Sequence, residues 1–270
     1  MTAADPAEGR VLLVRRGPVA DLVLDRPAKR NALTEPMLRQ LAGLLRDLAD
    51  DDEVRVVTLR GAGDRAFSAG ADLRAFAEVR PPRLWRRWTR LGQETFAALA
   101  HLPQVTVAVL NGPAIGGGLE LAVHCDLRVA GSAVRVGLPE VTLGTLPGWS
   151  GLARIAELTG PSRARLLALT GRLITAEQAG SWGLVDVVAD PVTEAADALV
   201  GDLLRGGPVA QRLLKARLAG PWRAWSDPQA LLDSLGGAVA AAEGESAEGV
   251  AALLGGRPAA WSPGTSAPAP

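Results

Sequence analysis

Twice in this chain a run of apolar, strand-forming residues stops at a cluster of small residues that leads into a helix-forming segment. The first joint is Ala66–Phe67–Ser68–Ala69–Gly70–Ala71–Asp72–Leu73, after Val54–Leu59 and the loop Gly61–Ala62–Gly63–Asp64. The second is Asn111–Gly112–Pro113–Ala114–Ile115–Gly116–Gly117–Gly118–Leu119–Glu120, directly after Val105–Leu110. Small residues let a ligand or another chain segment come close to the backbone. A helix start leaves N–H groups without partners and carries partial positive charge. Two such N–H groups from separate loops can hold one oxyanion. No Gly-Lys-Ser/Thr follows either segment and the G-x-G-x-x-G spacing is absent, which disfavours phosphate and dinucleotide loops. Tight turns alone would also account for the glycines.

The rest of the chain supplies a frame for these joints. Val11–Arg15 and Val19–Leu24 read as two short strands around Arg16–Gly17–Pro18. Thr34 is a good N-cap and Pro36 suits a first turn; Leu38, Leu41, Leu44, Leu45 and Leu48 then follow helical spacing. Residues 72–101 read as mostly helical, broken at Pro81–Pro82, and Leu119–His124 as a short helix. Asp126–Ala130, Val134–Val136 and Val185–Val188 are further short strands. Helices are expected over 149–158, 161–169, 175–181, 191–205, 208–219, 227–243 and 246–255, and disorder in the proline-rich tail from Ser262. Alternation early and helices late predict an α/β core with a helical C-terminal piece.

Composition narrows the partners. Lys plus Arg and Asp plus Glu are 29 each, which argues against a nucleic-acid or polybasic membrane surface. Lysine occurs only at Lys29 and Lys215, which reads as coding bias toward arginine. The single cysteine, Cys125, rules out an intrachain disulfide. The first ten residues lack the apolar run of a signal peptide, and no stretch has the roughly 18 uninterrupted apolar residues of a membrane span. A cytoplasmic protein is expected.

Two carboxylates stand out. Glu120 lies three residues after Gly117, and residues i and i+3 share a helix face. It should therefore face the space that the Gly117 N–H addresses. Glu140 follows Pro139 in the apolar stretch Val136–Gly137–Leu138 and Val141. A lone glutamate is ordinarily a surface residue; in this setting it is either solvent-facing or held for a purpose.

These motifs in order resemble the enoyl-CoA hydratase/isomerase (crotonase) superfamily, most of all its enoyl-CoA hydratases. The resemblance runs from Asp25–Arg26–Pro27–Ala28–Lys29–Arg30–Asn31–Ala32–Leu33 to Glu248–Gly249. It takes in Ser68–Leu73, Asn111–Asp126, Leu138–Pro139–Glu140, Leu143–Gly148, Leu169–Thr170–Gly171 and Ala176–Glu177–Gln178–Ala179. It implies a crotonase (ClpP-like) ββα spiral core over residues 1–204 and a helical C-terminal trimerisation region over 205–258. Residues 259–270 would form a disordered tail, and the assembly would be a homotrimer or a dimer of trimers. It also implies an oxyanion hole from the backbone of Ala71 and Gly117, with Glu120 and Glu140 as the catalytic pair.

Hydration of a 2-trans-enoyl-CoA needs a base for water at C3 and an acid at C2, and two carboxyls around one water can provide both. Following the hydratases, Glu120 is assigned to water activation and Glu140 to proton delivery; the residues alone do not separate the roles. Ala28, Lys29, Ala69, Asp72, Leu73, Gly116 and Trp149 are the expected contacts to the acyl-CoA. Coenzyme A is then part of the substrate, and no separate cofactor or metal is expected. Asp72 suits a helix N-cap equally well, and Lys29 a solvated charge.

The chain departs from common hydratases in three places. Trp149–Ser150–Gly151–Leu152–Ala153–Arg154 replaces a Gly-Gly-Thr-Gln-Arg run, so Trp149 either lines the acyl pocket or packs in the core or a trimer contact. Residues 74–92 carry Trp85 and Trp88 among Arg83, Arg86, Arg87 and Arg90, as a lid or an amphipathic surface helix. Gly255–Gly256–Arg257–Pro258 replaces a lysine-rich ending. The remaining residues carry little: His101 and His124 lack metal-ligand spacing, Cys125 reads as a small buried residue, and Ser68 and Ser150 have no paired histidine. Alternatives to hydration are another crotonase reaction (isomerisation, decarboxylation or dehydration, as in secondary metabolism) and a non-catalytic CoA-binding protein.

Overall fold

The computed structural model describes residues 8–73, 84–218 and 244–261, together with residues 236, 239 and 242. Gly17, at φ 59°, turns strand β1 (Arg10–Arg16) into β2 (Val19–Asp25), and the two pair antiparallel from Arg10↔Asp25 to Arg16↔Val19. Strands β3 (Val56–Gly61), β4 (Val105–Leu110), β6 (Leu127–Ala130) and β9 (Val187–Val188) extend this sheet in parallel, in the order β1-β2-β3-β4-β6-β9. A second sheet joins β5 (Ala114–Ile115), β7 (Arg135–Gly137) and β8 (Leu173–Thr175) in the order β5-β7-β8.

The central strands read as unbroken apolar runs because both faces of the larger sheet are covered. On one face Val19, Val56, Val107, Val109 and Val129 pack with Ala196 and Val200 of helix α7 (Val192–Leu204). On the other, Leu22, Leu24, Val57, Leu59, Ala108 and Leu110 join the main core. Helix α1 (Glu35–Ala49) buries Met37, Leu38, Leu41, Leu45 and Leu48 there, and the Thr34 side chain caps it by accepting the Met37 N–H at 3.3 Å. Helix α2 (Arg90–Ala100), which follows a wide π turn over Leu84–Thr89, packs against α1, with the Thr95 hydroxyl 3.5 Å from the Leu38 carbonyl.

The remaining helices are α3 (Gly117–Ala122), α4 (Gly151–Thr159), α5 (Pro161–Thr170), α6 (Ala176–Ser181), α8 (Pro208–Leu218) and α9 (Glu245–Leu254). The C-terminal helices are tied to the sheet by polar contacts. Lys215 reaches Asp126 at 2.7 Å and the Gln104 carbonyl at 2.8 Å, and Arg55 donates to the Leu204 carbonyl at 3.0 Å and to that of Gly206. Among the described residues no helix is long and apolar enough to cross a membrane.

Most expected elements form with shifted ends. The short helix runs over Gly117–Ala122 instead of Leu119–His124, and the one expected at 149–158 starts at Gly151. Val54 and Arg55 precede β3, and Val185 and Asp186 precede β9. Strands β5 and β8 were not expected, because two or three residues are too short to show alternation and form only against β7. The break at Pro81–Pro82 and the tail from Ser262 lie outside the described residues, as does most of the helix expected at 227–243.

Candidate functional site

Strand β3 delivers the first small-residue joint to one edge of the site, and a buried asparagine holds it in place. Asn31 is fully buried; its Oδ1 accepts the Arg26 N–H at 3.0 Å, and its Nδ2 donates to the carbonyls of Ala62 (3.1 Å) and Ala66 (2.8 Å). Arg30 and Asn31 adopt positive φ of 51° and 53°, which turns residues 26–33 beside the joint. The Leu33 N–H then donates to the Gly70 carbonyl at 2.7 Å and the Asp72 N–H to the Leu33 carbonyl at 2.9 Å. This parallel bridge leaves the Ala71 N–H facing the other way. Asp72 forms an ion pair with Arg26, both side chains largely buried.

The second joint approaches from β4. Ile115 donates to the Ser68 carbonyl at 3.0 Å, and Gly116 to that of Gly137 at 2.9 Å. Gly116, at φ 55° and ψ −126°, takes a conformation that disfavours side chains and starts α3. The Gly117 N–H is the first of that helix. A Cβ placed on Gly117 would lie 3.5 Å from the Ala71 nitrogen, so the two residues are neighbours. Among the described residues neither N–H donates to a protein acceptor. Two donors without an acceptor among the described residues thus lie beside one space.

Both glutamates border that space. Glu120, 1% exposed, projects from α3, and its Oε1 accepts the N–H groups of Trp149 (3.0 Å) and Gly151 (2.9 Å). Ser150 between them sits at φ 69°, in the left-handed region that lets alternate N–H groups converge on one anion. Burial pushes the Glu120 carboxyl up to about 7; the charge of Glu140 adds to this, while the backbone donors oppose it. Glu140, in the 3₁₀ turn Pro139–Leu143, packs over Gly116, where an added Cβ would fall 2.6 Å from its Oε1. Its Oε2 is buried without a hydrogen-bond partner, and burial raises its pKa as well.

The profile of the enoyl-CoA hydratase/isomerase family matches residues 15–263. The chain belongs to this family. A short-chain-enoyl-CoA hydratase of Clostridium acetobutylicum is 36% identical over 76% of this chain and 79% of its own length. A 2,3-dehydroadipyl-CoA hydratase of Escherichia coli is 38% identical over 77% and 81%. The crystal structure of an enoyl-CoA hydratase from Bacillus anthracis superposes with a TM-score of 0.88 at 30% identity, covering 93% of this chain and 98% of that one. The architecture is the crotonase fold of the enoyl-CoA hydratase/isomerase family.

Not every residue expected at the family's site is drawn into it equally. Ala71, Gly116, Gly117, Glu120, Glu140 and Trp149 cluster, with Ala69 half-buried beside them. Ala28, Lys29 and Leu73 are exposed at the rim, and the loop of the first two is joined to the cluster by the Ala69 N–H donating to Arg30. Trp149, read as either pocket wall or packed aromatic, is 3% exposed and packed in the core, yet its ring also lies against Gly117. Trp88 is buried against it, with ring centroids 5.8 Å apart. The side chains of Arg83, Trp85 and Arg86 fall outside the described residues.

Each histidine ring bonds the carbonyl one turn back, His101 that of Ala97 and His124 that of Glu120, both at 2.7 Å. Cys125 is fully buried, and burial pushes its thiol up to about 12, which keeps it an inert packing residue. Ser68 is likewise structural: its hydroxyl donates to the Asn31 carbonyl and accepts the Gly70 N–H. Sequence reading missed the Asn31 hub and the backbone nest around Ser150. Asparagine's preference for turns hints at the former; no sequence signal marks the latter.

Proposed function

We propose that this enzyme hydrates a 2-trans-enoyl-CoA through a thioester enolate. The observation that carries the reading is the meeting of Glu120 and Glu140 beside two unpaired backbone donors, Ala71 and Gly117. Water bound by Glu120 adds to C3 and gives its proton to that carboxylate. The electron pair of the double bond moves onto the thioester oxygen, where the two N–H groups stabilise it. Glu140 then protonates C2, and proton exchange with solvent restores both carboxyls.

The environment of each carboxyl supports this order of roles. Two N–H groups on Glu120 Oε1 favour its charged form, as a base requires. The partnerless, buried Oε2 of Glu140 favours its neutral form, as an acid requires. Ala28, Lys29, Ala69, Asp72, Leu73 and Gly116 would flank the pantetheine and nucleotide, and Trp149 the acyl group. Coenzyme A enters as part of the substrate. Relatives named short-chain-enoyl-CoA hydratase and crotonyl-CoA hydratase, each 36% identical, support hydration. A homotrimer or dimer of trimers in the cytoplasm completes the reading.

A relative named carnitinyl-CoA dehydratase, 35% identical, favours a second reading in which the same groups run elimination. Assay of purified protein on short, long and aryl 2-enoyl-CoAs, following loss of the conjugated thioester absorbance, tests hydration. Turnover of at least one member is expected; inertness across the whole set would overturn it. Deuterium appearing at C2 or C4 without addition of water would point to isomerisation instead.

A further inference from the structure

The indole of Trp149 spans the space between two helices because both present glycine to it. Against α3, a Cβ on Gly117 would fall 2.4 Å from Cζ3 and 2.5 Å from Cε3 of the ring. Against α2, a Cβ on Gly92 would fall 2.2 Å from Nε1. Phe96 meets the ring edge-on, with centroids 5.3 Å apart and planes at 73°, and Trp88 packs tilted at 41°. Trp149, Trp88 and Phe96 are 3%, 4% and 0% exposed. Three rings this well covered interdigitate as a core does, and moving Trp149 forfeits its contacts with both of the others.

We infer that Trp149, backed by Trp88 and Phe96, walls off the acyl end of the site and restricts it to short-chain acyl thioesters. The inference rests on the hydratase reading for the placement of substrate: thioester oxygen on the Ala71 and Gly117 N–H groups, C3 at Glu120. Trp149 touches both ends of that span, through its ring on Gly117 and through its backbone N–H on Glu120 Oε1. The reacting carbons therefore lie alongside it. Among the described residues, a chain continuing past C3 on this side meets a packed aromatic face.

Binding of saturated acyl-CoAs of four, six and ten carbons tests the wall without using the chemistry, since these thioesters have no double bond to hydrate. A pocket that covers the chain would tighten binding by roughly fourfold for each added methylene. The wild-type protein is expected to show level or falling affinity from four to ten carbons. Trp149→Ala should raise ten-carbon affinity by about tenfold or more, with Trp88→Ala moving in the same direction by less. The ratio of kcat/KM for ten- over four-carbon 2-enoyl-CoA should rise in parallel.

Affinity that climbs with every methylene in the wild type would overturn the inference. So would an unchanged length profile in Trp149→Ala and Trp88→Ala. If Trp149→Ala does not fold, Trp149→Phe and Trp88→Ala carry the test by the same criterion. Absent turnover combined with affinity that still falls with length would reject hydration and uphold the wall.

Discussion

The Oε1 atom of Glu120 accepts the backbone N–H of Gly151 at 2.9 Å, which sets the carboxylate on the first turn of α4. The Trp149 N–H reaches the same oxygen, so the side chain is oriented by main chain alone. Backbone donors survive every substitution but proline. The carboxylate itself can be lost. Glu120→Gln is therefore expected to keep its hydrogen-bonded place while losing its ability to take a proton, with kcat falling about a hundredfold or more in a crotonyl-CoA assay. Glu140→Gln should fall comparably. An unchanged rate in either variant would remove that residue from acid–base work.

Burial holds the Glu120 carboxyl at about 7. A base must be ionised, so kcat/KM should decline as pH drops below about 7. With Glu140 neutral in the reactive form, Glu140→Gln removes no charge, and its residual activity should fall off at the same pH as the wild type's. An acidic limb displaced in Glu140→Gln would show Glu140 ionised while Glu120 titrates, against its role as the acid.

The same raised pKa has a cost in stability. A carboxyl whose folded pKa lies above its unfolded value binds more protons folded than unfolded between the two, so stability drops as pH rises from about 4.5 to about 7 and stays lower above it. A shift of this size corresponds to roughly 3 kcal/mol at most. Glu120→Gln should be more resistant to urea than the wild type at pH 8, with the difference shrinking toward pH 5. Equal midpoints at pH 8 would contradict the burial argument.

Gly116 and Ala71 can be tested at the backbone. Gly116→Ala places a Cβ 2.6 Å from Glu140 Oε1 at a positive φ, and should cost about 1–3 kcal/mol in stability as well as activity. Ala71→Pro removes an N–H that has no acceptor among the described residues, and should lower kcat about a hundredfold. Wild-type turnover in Ala71→Pro would place the enolate elsewhere.

Leu253 and Leu254 in α9 are 81% and 83% exposed in the single chain, and Leu214 and Leu218 in α8 are each 60% exposed. Large leucines so exposed on the C-terminal helices call for a partner. Light scattering should give three or six times the 28.0 kDa chain mass, and Leu254→Glu should lower it. A monomer at micromolar concentration would contradict a trimer.

The amino-acid sequence by itself determined the covered sheet, the capped α1 and the two glycine joints, because apolar runs, caps and small residues act over neighbouring positions. It also placed Glu120 on the face of Gly117, since three residues of helix suffice for that. What only the tertiary structure decided comes from segments far apart in the chain. Strands β5 and β8 exist solely as partners of β7. Asn31 joins two turns through the Ala62 and Ala66 carbonyls. Ser150 is strained so that residues 149 and 151 can reach a carboxylate 29 and 31 positions earlier. Trp149, ambiguous as a letter, packs between α2 and α3 because Gly92 and Gly117 leave room for its ring. Local preference fixes the pieces; mutual exclusion of volume and the pairing of buried donors fix where they meet.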